Sequence, residues 1–209
     1  MKAPGAAEFV PDTADLSTLQ EASCRCRGCD LYQHATQTVF GEGPADASVV
    51  VVGEQPGDQE DRQGHPFVGP AGHLLDKALD EAGIDRDTVY LTNAVKHFKF
   101  VERGKRRIHK TPGRTEIVAC SAWINAELAL IRPRLVVCLG AVAAQAVIDP
   151  AFKVSQQRGE VVSRPDYRAI ATVHPSAVLR APDRAEAYAA FVDDLKKVRA
   201  EMGKRTTSK

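Results

Sequence analysis

The stretch SVVVVGEQPG, residues 48–57, decides how the chain folds. Its four consecutive β-branched apolar residues, Val49 to Val52, predict a strand that is buried on both faces. The Pro56-Gly57 pair then forces a turn. This turn presents Glu54 and Gln55 at the carboxyl end of a central strand, where open α/β sheets bind their ligands. Position alone leaves Glu54 either a solvated carboxylate or a group that takes part in chemistry.

Further apolar runs alternate with amphipathic stretches along the chain. Strands are predicted at Val49–Val52, Val89–Thr92, Leu135–Leu139 and Ala169–Val173, with a hairpin at 160–162 before the last of them. Helices are predicted at Leu16–Ala22, 74–82, after Thr111 and Pro112 as N-cap and first residue, at Ala141–Val147 and near the carboxyl terminus. This order predicts an α/β fold, a three-layer α/β/α sandwich around a central, mostly parallel four-stranded sheet.

The length of 209 residues suits one hydrophobic core, so we expect a single domain over 1–209 with flexible ends at 1–15 and 203–209. The composition, 44% hydrophobic and 26% charged, is typical of a soluble globular protein. No apolar run reaches membrane length and no charged-then-apolar leader opens the chain, so we expect a cytoplasmic protein without a membrane partner. Five unevenly spaced cysteines do not suit a disulfide framework.

Positive charge is concentrated in one segment, residues 96–114. The segment contains eight Lys or Arg and one acid, a local charge of +7 in a chain whose net charge is +1. It also contains His97, Phe98, Phe100 and His109. Such a strip in a nearly neutral protein indicates a docking surface for a polyanion, in preference to a solvated lysine-rich loop.

Cys26 and Cys29 form a Cys-x-x-Cys pair, a spacing that lets two thiolates reach one metal centre. A thioredoxin-like redox role is disfavoured because no strand precedes the pair. Cys24 is either a spare thiol or an alternative ligand. Cys138 lies within a predicted strand and is interpreted as packing.

Other candidate residues follow predicted strands or lie in a loop. Asn93 and His174 leave the ends of two strands, as Glu54 does. Phe67 lies in a Gly- and Pro-rich loop where its ring could line a pocket. The pattern alone favours a structural role for two of them: Asn93 would satisfy a turn backbone, and Phe67 would belong to the core.

Five segments in order resemble the uracil-DNA glycosylases. The chain contains Gly53-Glu-Gln-Pro-Gly57, Pro66-Phe-Val-Gly-Pro-Ala-Gly72, Thr92-Asn-Ala-Val-Lys96 and His174-Pro-Ser176, which are most similar to the iron–sulfur, family 4-like branch. The insertion Lys105-Arg-Arg-Ile-His109 resembles the distinctive loop of the X-type bacterial enzymes of this branch. The resemblance covers nearly the whole chain from Cys26 to the last helix.

The resemblance implies a monomeric, nucleoid-associated enzyme that excises uracil from DNA, preferably single-stranded. It implies that Phe67 stacks on the base, that Asn93 reads the O4 and N3–H edge and that His174 donates to O2. At two positions this sequence departs from the conventional branch. Gln55 stands where an Asp positions water, and Gly57 where a Tyr blocks the thymine methyl group. The resemblance still implies that both residues contact the substrate.

The X-type resemblance implies that His109 attacks C1′ of the sugar and leaves the protein bonded to DNA. Glu54 would then accept a hydrogen bond from the other ring nitrogen and fix the tautomer. Arg107 is counted with His109, Glu54 and His174 as a catalytic residue, and it would brace the loop or contact a phosphate. The remaining implied DNA contacts are Lys105, Arg106, Ser176 and Arg180 to phosphates, with Val178 or Leu179 as a wedge in the space left by the flipped base.

The same resemblance implies a [4Fe–4S] cluster held by Cys26, Cys29, Cys120 and His97. By ligand chemistry alone, a Cys₃His zinc site fits these residues equally well. Two other functions stay open at this point. One is a conventional glycosylase that turns over with water, and the other is a non-catalytic Fe–S or zinc protein that binds single-stranded nucleic acid.

Overall fold

The structure is a computed structural model that describes residues 5–204. Its strands are β1 (Val49–Gly53), β2 (Val89–Asn93), β3 (Phe100–Arg103), β4 (Arg106–His109), β5 (Leu135–Leu139), β6 (Val161–Ser163) and β7 (Arg168–Thr172). Its α-helices are α1 (Leu16–Ser23), α2 (Asp58–Gln63), α3 (Pro70–Glu81), α4 (Arg114–Ile131), α5 (Ala141–Val147), α6 (Val154–Gln157), α7 (Pro175–Leu179) and α8 (Arg184–Met202). Short 3-10 turns occur at Ala7–Phe9, Asp30–Gln33 and Arg86–Thr88.

The central sheet has the strand order β2-β1-β5-β7-β6. The first four strands run parallel, and β6 pairs antiparallel with β7. The predicted α/β class with a mostly parallel sheet is confirmed, but the sheet has five strands instead of four. The fifth is the predicted hairpin, whose three residues join the sheet edge beside β7.

Helices cover both faces of the sheet. On one face, Val50 and Val52 pack in a core cluster with Ile124 of α4 and Ala143 of α5. On the other face, neighbouring valines pack with α3 and α8, for example through Leu79. This alternation along β1 gives the predicted three layers, because successive side chains of a strand point to opposite faces.

Two segments for which no strand or helix was predicted are regular structure. The acidic segment after Gly57 forms helix α2, and the basic segment forms the antiparallel hairpin β3–β4, in which Arg103 faces Arg106. The hairpin pairing extends to Lys99 and Lys110, whose backbone groups bond at 2.9 Å.

The long helix α4 begins later than predicted. Its N-cap is Gly113 and not Thr111, and its first residue is Arg114 instead of Pro112. The cap is stabilised because the Glu116 carboxylate accepts the Gly113 N–H.

The predicted flexible amino-terminal segment is packed where the structure describes it. Ala6 is 1% exposed, and its N–H donates to the carbonyl of Ala119 on α4. A small side chain lets this segment lie directly against the helix. Residues 1–4 and 205–209, also predicted to be flexible, lie outside the described part. Within 5–204, no helix is long and apolar enough to cross a membrane.

Candidate active site

A cavity of about 1030 Å³ opens at the carboxyl ends of the parallel strands. It is lined by the residues that leave four neighbouring strands: Glu54 after β1, Asn93 at the end of β2, Gly140 after β5 and His174 after β7. The chain goes from β1 to β2 on one side and returns to β5 on the other. The cavity therefore lies at a topological switch point, the position at which such sheets bind ligands.

Phe67 and Asn93 meet over Gly53 in the floor of the cavity. Phe67 is buried with a φ of 59°, a left-handed backbone that costs energy for an aromatic residue. Gly53 is required by close approach, since a Cβ there would overlap Asn93 Oδ1 and lie 2.7 Å from Phe67 Cζ. The Phe67 ring and the Asn93 amide are thus held together above Gly53, which has no side chain.

His174 is held as a neutral ring with a defined tautomer. Burial, together with the charges of His109 and Arg180, lowers its pKa to about 4. Its Nδ1 accepts the backbone N–H of Ser176 at 3.1 Å and lies 2.8 Å from the Ser176 hydroxyl. The neutral ring therefore carries its proton on Nε2, which is free to donate. Ser176 also lines the cavity, and its predicted contact with a phosphate stays a prediction.

Gln55 fastens the root of the β3–β4 hairpin. Its Oε1 accepts the N–H of Lys99 at 3.0 Å, and its amide nitrogen faces the carbonyls of Lys99 and Lys110 at 3.2 and 3.0 Å. The same nitrogen lies 2.9 Å from His109 Nε2. Gln55 also lines the cavity, and its predicted contact with the substrate stays a prediction.

His109 faces the cavity beside Glu54. Its Nε2 lies 2.9 Å from the Gln55 amide nitrogen, which can donate to it when the ring proton is on Nδ1. The same Nε2 is 3.6 Å from Glu54 Oε1. The expected hydrogen bond from the other ring nitrogen to Glu54 stays a prediction.

Burial sets the ionisation of this pair. It lowers the pKa of His109, with help from the Arg180 charge, and it raises the pKa of Glu54, which Arg180 opposes. Within residues 5–204, the buried Oε1 of Glu54 has no hydrogen-bond partner. An unpartnered buried carboxylate oxygen is costly, and here it is directed at a ring that can become positive.

Arg107 connects the hairpin to α2 instead of lining the cavity. Its side chain is 12% exposed and forms ion pairs with Asp58 and with the fully buried Asp61. It also lies over the rings of Phe98 and Phe100, 5.5 and 5.0 Å from their centroids. The prediction of Arg107 as catalytic is corrected to a positioning role, and the predicted bracing of the loop fits the structure.

The predicted phosphate contacts are exposed. Lys105 and Arg106 lie at the hairpin tip, and Arg180 lies at the rim of the cavity. Val178, one of the two predicted wedge residues, is 2% exposed and packs in the core, so it cannot enter DNA. Leu179 lines the cavity.

Glu60 is a site residue that the sequence interpretation missed. It is buried at the cavity wall, where its carboxylate accepts the N–H of Gly57 at 3.0 Å and that of Gly69 at 2.8 Å. It thereby joins the two loops that carry Glu54 and Phe67, beside the bare backbone of Gly57. Its spacing of three residues after Gly57, that of a capping box, was the available signal.

Three buried cysteines share one hydrophobic cluster. Cys26, Cys29 and Cys120 pack with Trp123, whose indole N–H donates to Cys26 Sγ at 3.2 Å. Burial raises the pKa of Cys120 to about 12 and also raises that of Cys29. Such thiols ionise only beside compensating positive charge, which a metal centre supplies.

The fourth predicted ligand, His97, is also buried. Burial lowers its pKa to about 4, so its ring is neutral as a metal ligand must be. The Lys96 N–H donates to Cys120 Sγ at 3.3 Å, which adds a second N–H···S contact. Among the described residues, no three His, Cys, Asp or Glu side chains lie close enough together to hold a single metal ion. Cys24, the spare thiol, is exposed.

A buried ion pair lies beneath the cavity floor. Lys96 and Glu127 are both 0% exposed, with Nζ and Oε2 2.5 Å apart. Glu127 also accepts from Tyr90 and Thr92, and Lys96 donates to the backbone carbonyl of Asn93 at 3.0 Å. This network fixes the end of β2, from which the Asn93 side chain enters the cavity.

Comparison with known proteins gives one consistent result. A sequence model described as the uracil DNA glycosylase superfamily matches residues 40–196. A type-4 uracil-DNA glycosylase of Archaeoglobus fulgidus is 37% identical over 86% of this chain and 89% of that protein. Those of Pyrobaculum aerophilum and Thermotoga maritima are 35% and 36% identical, over 80% and 79% of this chain and 86% and 83% of theirs. Since the match spans the strands, the cavity and most of the predicted motifs, the chain belongs to the uracil-DNA glycosylase superfamily.

Proposed function

We propose that the protein excises uracil from DNA and then bonds His109 to C1′ of the resulting abasic site. The observation that carries the proposal is the convergence of His109 and Glu54 with the base-binding set Phe67, Asn93 and His174 in one cavity. Family membership supports the excision, and the position of the imidazole supports the bond.

Recognition of the base follows from the floor of the cavity. The Phe67 ring stacks on uracil, and the Asn93 amide offers both a donor and an acceptor to its O4 and N3–H edge. Cytosine would leave buried polar groups unpaired, a mismatch that discriminates strongly. Glu60 closes the wall beside Gly57, so it takes the place of the aromatic ring in crowding a thymine methyl group.

Cleavage breaks the bond between C1′ and N1 of uracil. The electron pair leaves with the base, and positive charge develops on the sugar. The Nε2–H of His174 donates to O2 and stabilises the uracil anion, while the Glu54 carboxylate stabilises the sugar cation from the other side. The released uracil anion takes its proton from solvent.

The covalent step uses the ring nitrogen that already faces the cavity. The lone pair of His109 Nε2 forms the new bond to C1′, and the ring becomes an imidazolium that keeps its proton on Nδ1. The Gln55 amide nitrogen carries two hydrogens and lies near three acceptors, so its contact with His109 Nε2 is lost at little cost. Glu54 Oε1, 3.6 Å away, then neutralises the charged ring.

The wild-type protein provides the direct test. Incubated with an end-labelled single-stranded oligonucleotide that contains one uracil, it should form a band that survives heating in detergent. The band should be absent with a thymine oligonucleotide of the same sequence. Free uracil with intact abasic DNA and multiple turnovers would instead assign the conventional activity, which family membership fits equally well. Equal binding of both oligonucleotides without uracil release would indicate a non-catalytic nucleic-acid-binding protein.

We further propose that Cys26, Cys29, Cys120 and His97 hold a [4Fe–4S] cluster. Three buried thiols and a neutral imidazole fit its donor set, and two N–H···S contacts are already directed at the sulfurs. A zinc ion uses the same donor set, so the metal content of the protein decides between the two. When bound, the cluster joins the amino-terminal segment to α4 and the root of the hairpin. Iron and labile sulfide analysis, with zinc as the alternative, tests this proposal.

We also propose an oligomeric state, a preferred form of DNA and a cellular location. We expect a monomer with a preference for single-stranded DNA, because flipping a base out of a duplex adds an unstacking cost. Its place would be the nucleoid-associated cytoplasm, where its substrate is found. Competition between single- and double-stranded uracil oligonucleotides measures the preference.

Gly53→Ala should reduce uracil excision by about 100-fold, because an added methyl group displaces both Asn93 and Phe67 from the base. Single-turnover uracil release measures the effect, and circular dichroism checks that the fold is kept. Gly203→Ala is a control for the loss of a glycine, since the φ of −76° at Gly203 suits any residue and the added methyl group would make only an ordinary contact, 3.7 Å from the Ala200 carbonyl oxygen. An excision rate near that of wild type would contradict the packing of the cavity floor.

Arg107→Ala should slow adduct formation by about 10-fold or more, because the hairpin that carries His109 loses its ion pairs to α2. Uracil release should fall less, since the base-binding residues stay in place. Asp61→Asn removes a partner of the same ion pair and should have the same effect. An unchanged ratio of adduct to released uracil in both variants would refute the positioning role.

Adduct formation should stay fast in mildly acidic solution. Only the neutral His109 ring attacks, and its pKa lies below the ordinary 6.5. Protonation therefore sets in at lower pH than for a free imidazole, and the second-order rate constant at pH 6.5 should exceed half its plateau at higher pH. A half-maximal rate above pH 6.5 would contradict the lowered pKa of this ring, which is partly desolvated although its side chain is 48% exposed.

A further inference from the structure

The β3–β4 hairpin exposes two large aliphatic side chains. Val101 is 40% and Ile108 38% exposed, and the two are direct partners in the antiparallel register. Single exposed apolar residues are ordinary on protein surfaces. These two instead form one continuous patch, because the side chains of facing residues lie next to each other on one face of a strand pair.

Strand alternation gives the hairpin two different faces. Glu102, Arg107, Phe100 and His109 share the inner face, where Arg107 binds α2 and His109 faces the cavity. The opposite face, here called the outer hairpin face, consists of Val101, Arg103, Arg106 and Ile108.

The outer hairpin face combines apolar contact area with positive charge. Arg103 faces Arg106 on the tip side of the aliphatic pair, and the exposed Lys110 follows on the root side. An apolar patch between cations matches a single-stranded nucleic acid, whose bases are apolar on their faces and whose phosphates are negative. An acidic protein segment would satisfy the cations but not the aliphatic pair.

The position of this face along the DNA follows from its neighbour in the chain. His109 and Ile108 are consecutive in β4, so their backbones are adjacent while their side chains point to opposite faces of the hairpin. A strand whose sugar meets His109 therefore reaches Ile108 where it passes around the hairpin. Val178 is buried in the core and cannot act as a wedge. Ile108 is an exposed aliphatic side chain, and isoleucine is one of the residues that DNA-binding proteins insert against base steps.

We infer that the outer hairpin face binds a neighbouring nucleotide of the same strand, where the strand passes around the hairpin on its way to the cavity. Val101 and Ile108 pack against its base, and Arg103 and Arg106 neutralise the adjoining phosphates. This inference rests on the proposed function, since it assumes that the strand enters the cavity at His109. The inserted segment then has a second role: its outer face holds the DNA beside the flipped nucleotide, while its inner face carries the reacting His109.

The test is a coupling experiment between protein and DNA. Binding is measured for wild type and for the Val101→Ser/Ile108→Ser variant, using single-stranded uracil oligonucleotides in which the neighbouring base is either present or replaced by an abasic spacer on one side. The variant should bind the complete oligonucleotide about 10-fold more weakly. Wild type should lose the same factor when the contacted base is missing, and the two losses should not add. Val161→Ser, which removes a 44% exposed valine on the edge strand β6, is the matched control.

The arginines are tested by salt dependence. Arg103→Ser/Arg106→Ser should reduce the slope of log affinity against log salt by about 1.4, which corresponds to two phosphates of a single strand. The aliphatic variant should leave the slope unchanged. Affinities equal to wild type, or losses that add regardless of the neighbouring base, would overturn the inference.

Uracil release by wild type is measured in parallel. If uracil is released but the coupling is absent, the outer hairpin face alone is refuted. If no uracil is released, the proposed function is refuted and this inference fails with it.

Discussion

His109→Ser should abolish the covalent adduct while uracil release continues. The serine removes the nitrogen lone pair that forms the bond to C1′, but it leaves Phe67, Asn93 and His174 in place to bind and ionise the base. The smaller side chain also opens room for water next to Glu54, so the sugar cation is captured by hydrolysis. A denaturing gel should show no shifted band, and chromatography should detect free uracil.

The control is His73→Ser, which removes an exposed histidine of α3 that lies outside the cavity lining. It should form the adduct as fast as wild type. Persistence of the adduct in His109→Ser would mean that another nucleophile is used. Loss of both adduct and uracil release in a folded variant would make His109 part of the base-cleaving machinery instead.

Lys96→Met should destabilise the protein by roughly 3–5 kcal/mol, because the buried Glu127 carboxylate loses its counter-charge. For a chain of this size that corresponds to a fall of roughly 10 °C in Tm. Thermal or urea unfolding, followed by circular dichroism, measures the change. The large effect reflects the cost of an unpaired buried charge and not the net value of the pair.

A double variant separates these two quantities. Lys96→Met/Glu127→Leu removes both charges and should recover much of the lost stability, although Tyr90 and Thr92 lose an acceptor. The exposed pair Lys77–Glu81 is the matched comparison, and Lys77→Met should change stability by less than about 0.5 kcal/mol. A double variant less stable than Lys96→Met would show that the hydrogen bonds to Glu127 matter more than the charge.

The parallel strands were predictable because short continuous apolar runs are typical of strands that are buried on both faces. Leu135–Leu139 is a strand with the predicted bounds, and the helix Ala141–Val147 follows it as expected. The hairpin was not predicted, because its apolar residues Val101 and Ile108 are separated by mostly charged residues and form no apolar run. Helix α2 was missed because Asp58–Gln63 has no apolar stripe and is stabilised by its caps.

The residues of the site also fall into a predictable group and an unpredictable group. Glu54, Asn93 and His174 follow strands, and parallel strands end at one edge of a sheet, so their meeting was predictable. The tasks of Gln55 and Arg107 were not, because their partners lie more than forty residues away along the chain. Tertiary contacts of that kind leave no periodic signal in a sequence.

The five cysteine thiols differ in exposure, so the number that a reagent modifies depends on the state of the protein. Cys24 is exposed, whereas Cys26, Cys29, Cys120 and Cys138 are buried. A maleimide added to the native protein should therefore modify one position, which allows a dye or a surface tether to be attached at Cys24. If the proposed cofactor is stripped and the amino-terminal segment loosens, Cys26 and Cys29 become reactive as well. The number of labels per chain, read by mass spectrometry, then reports how much of a preparation is intact.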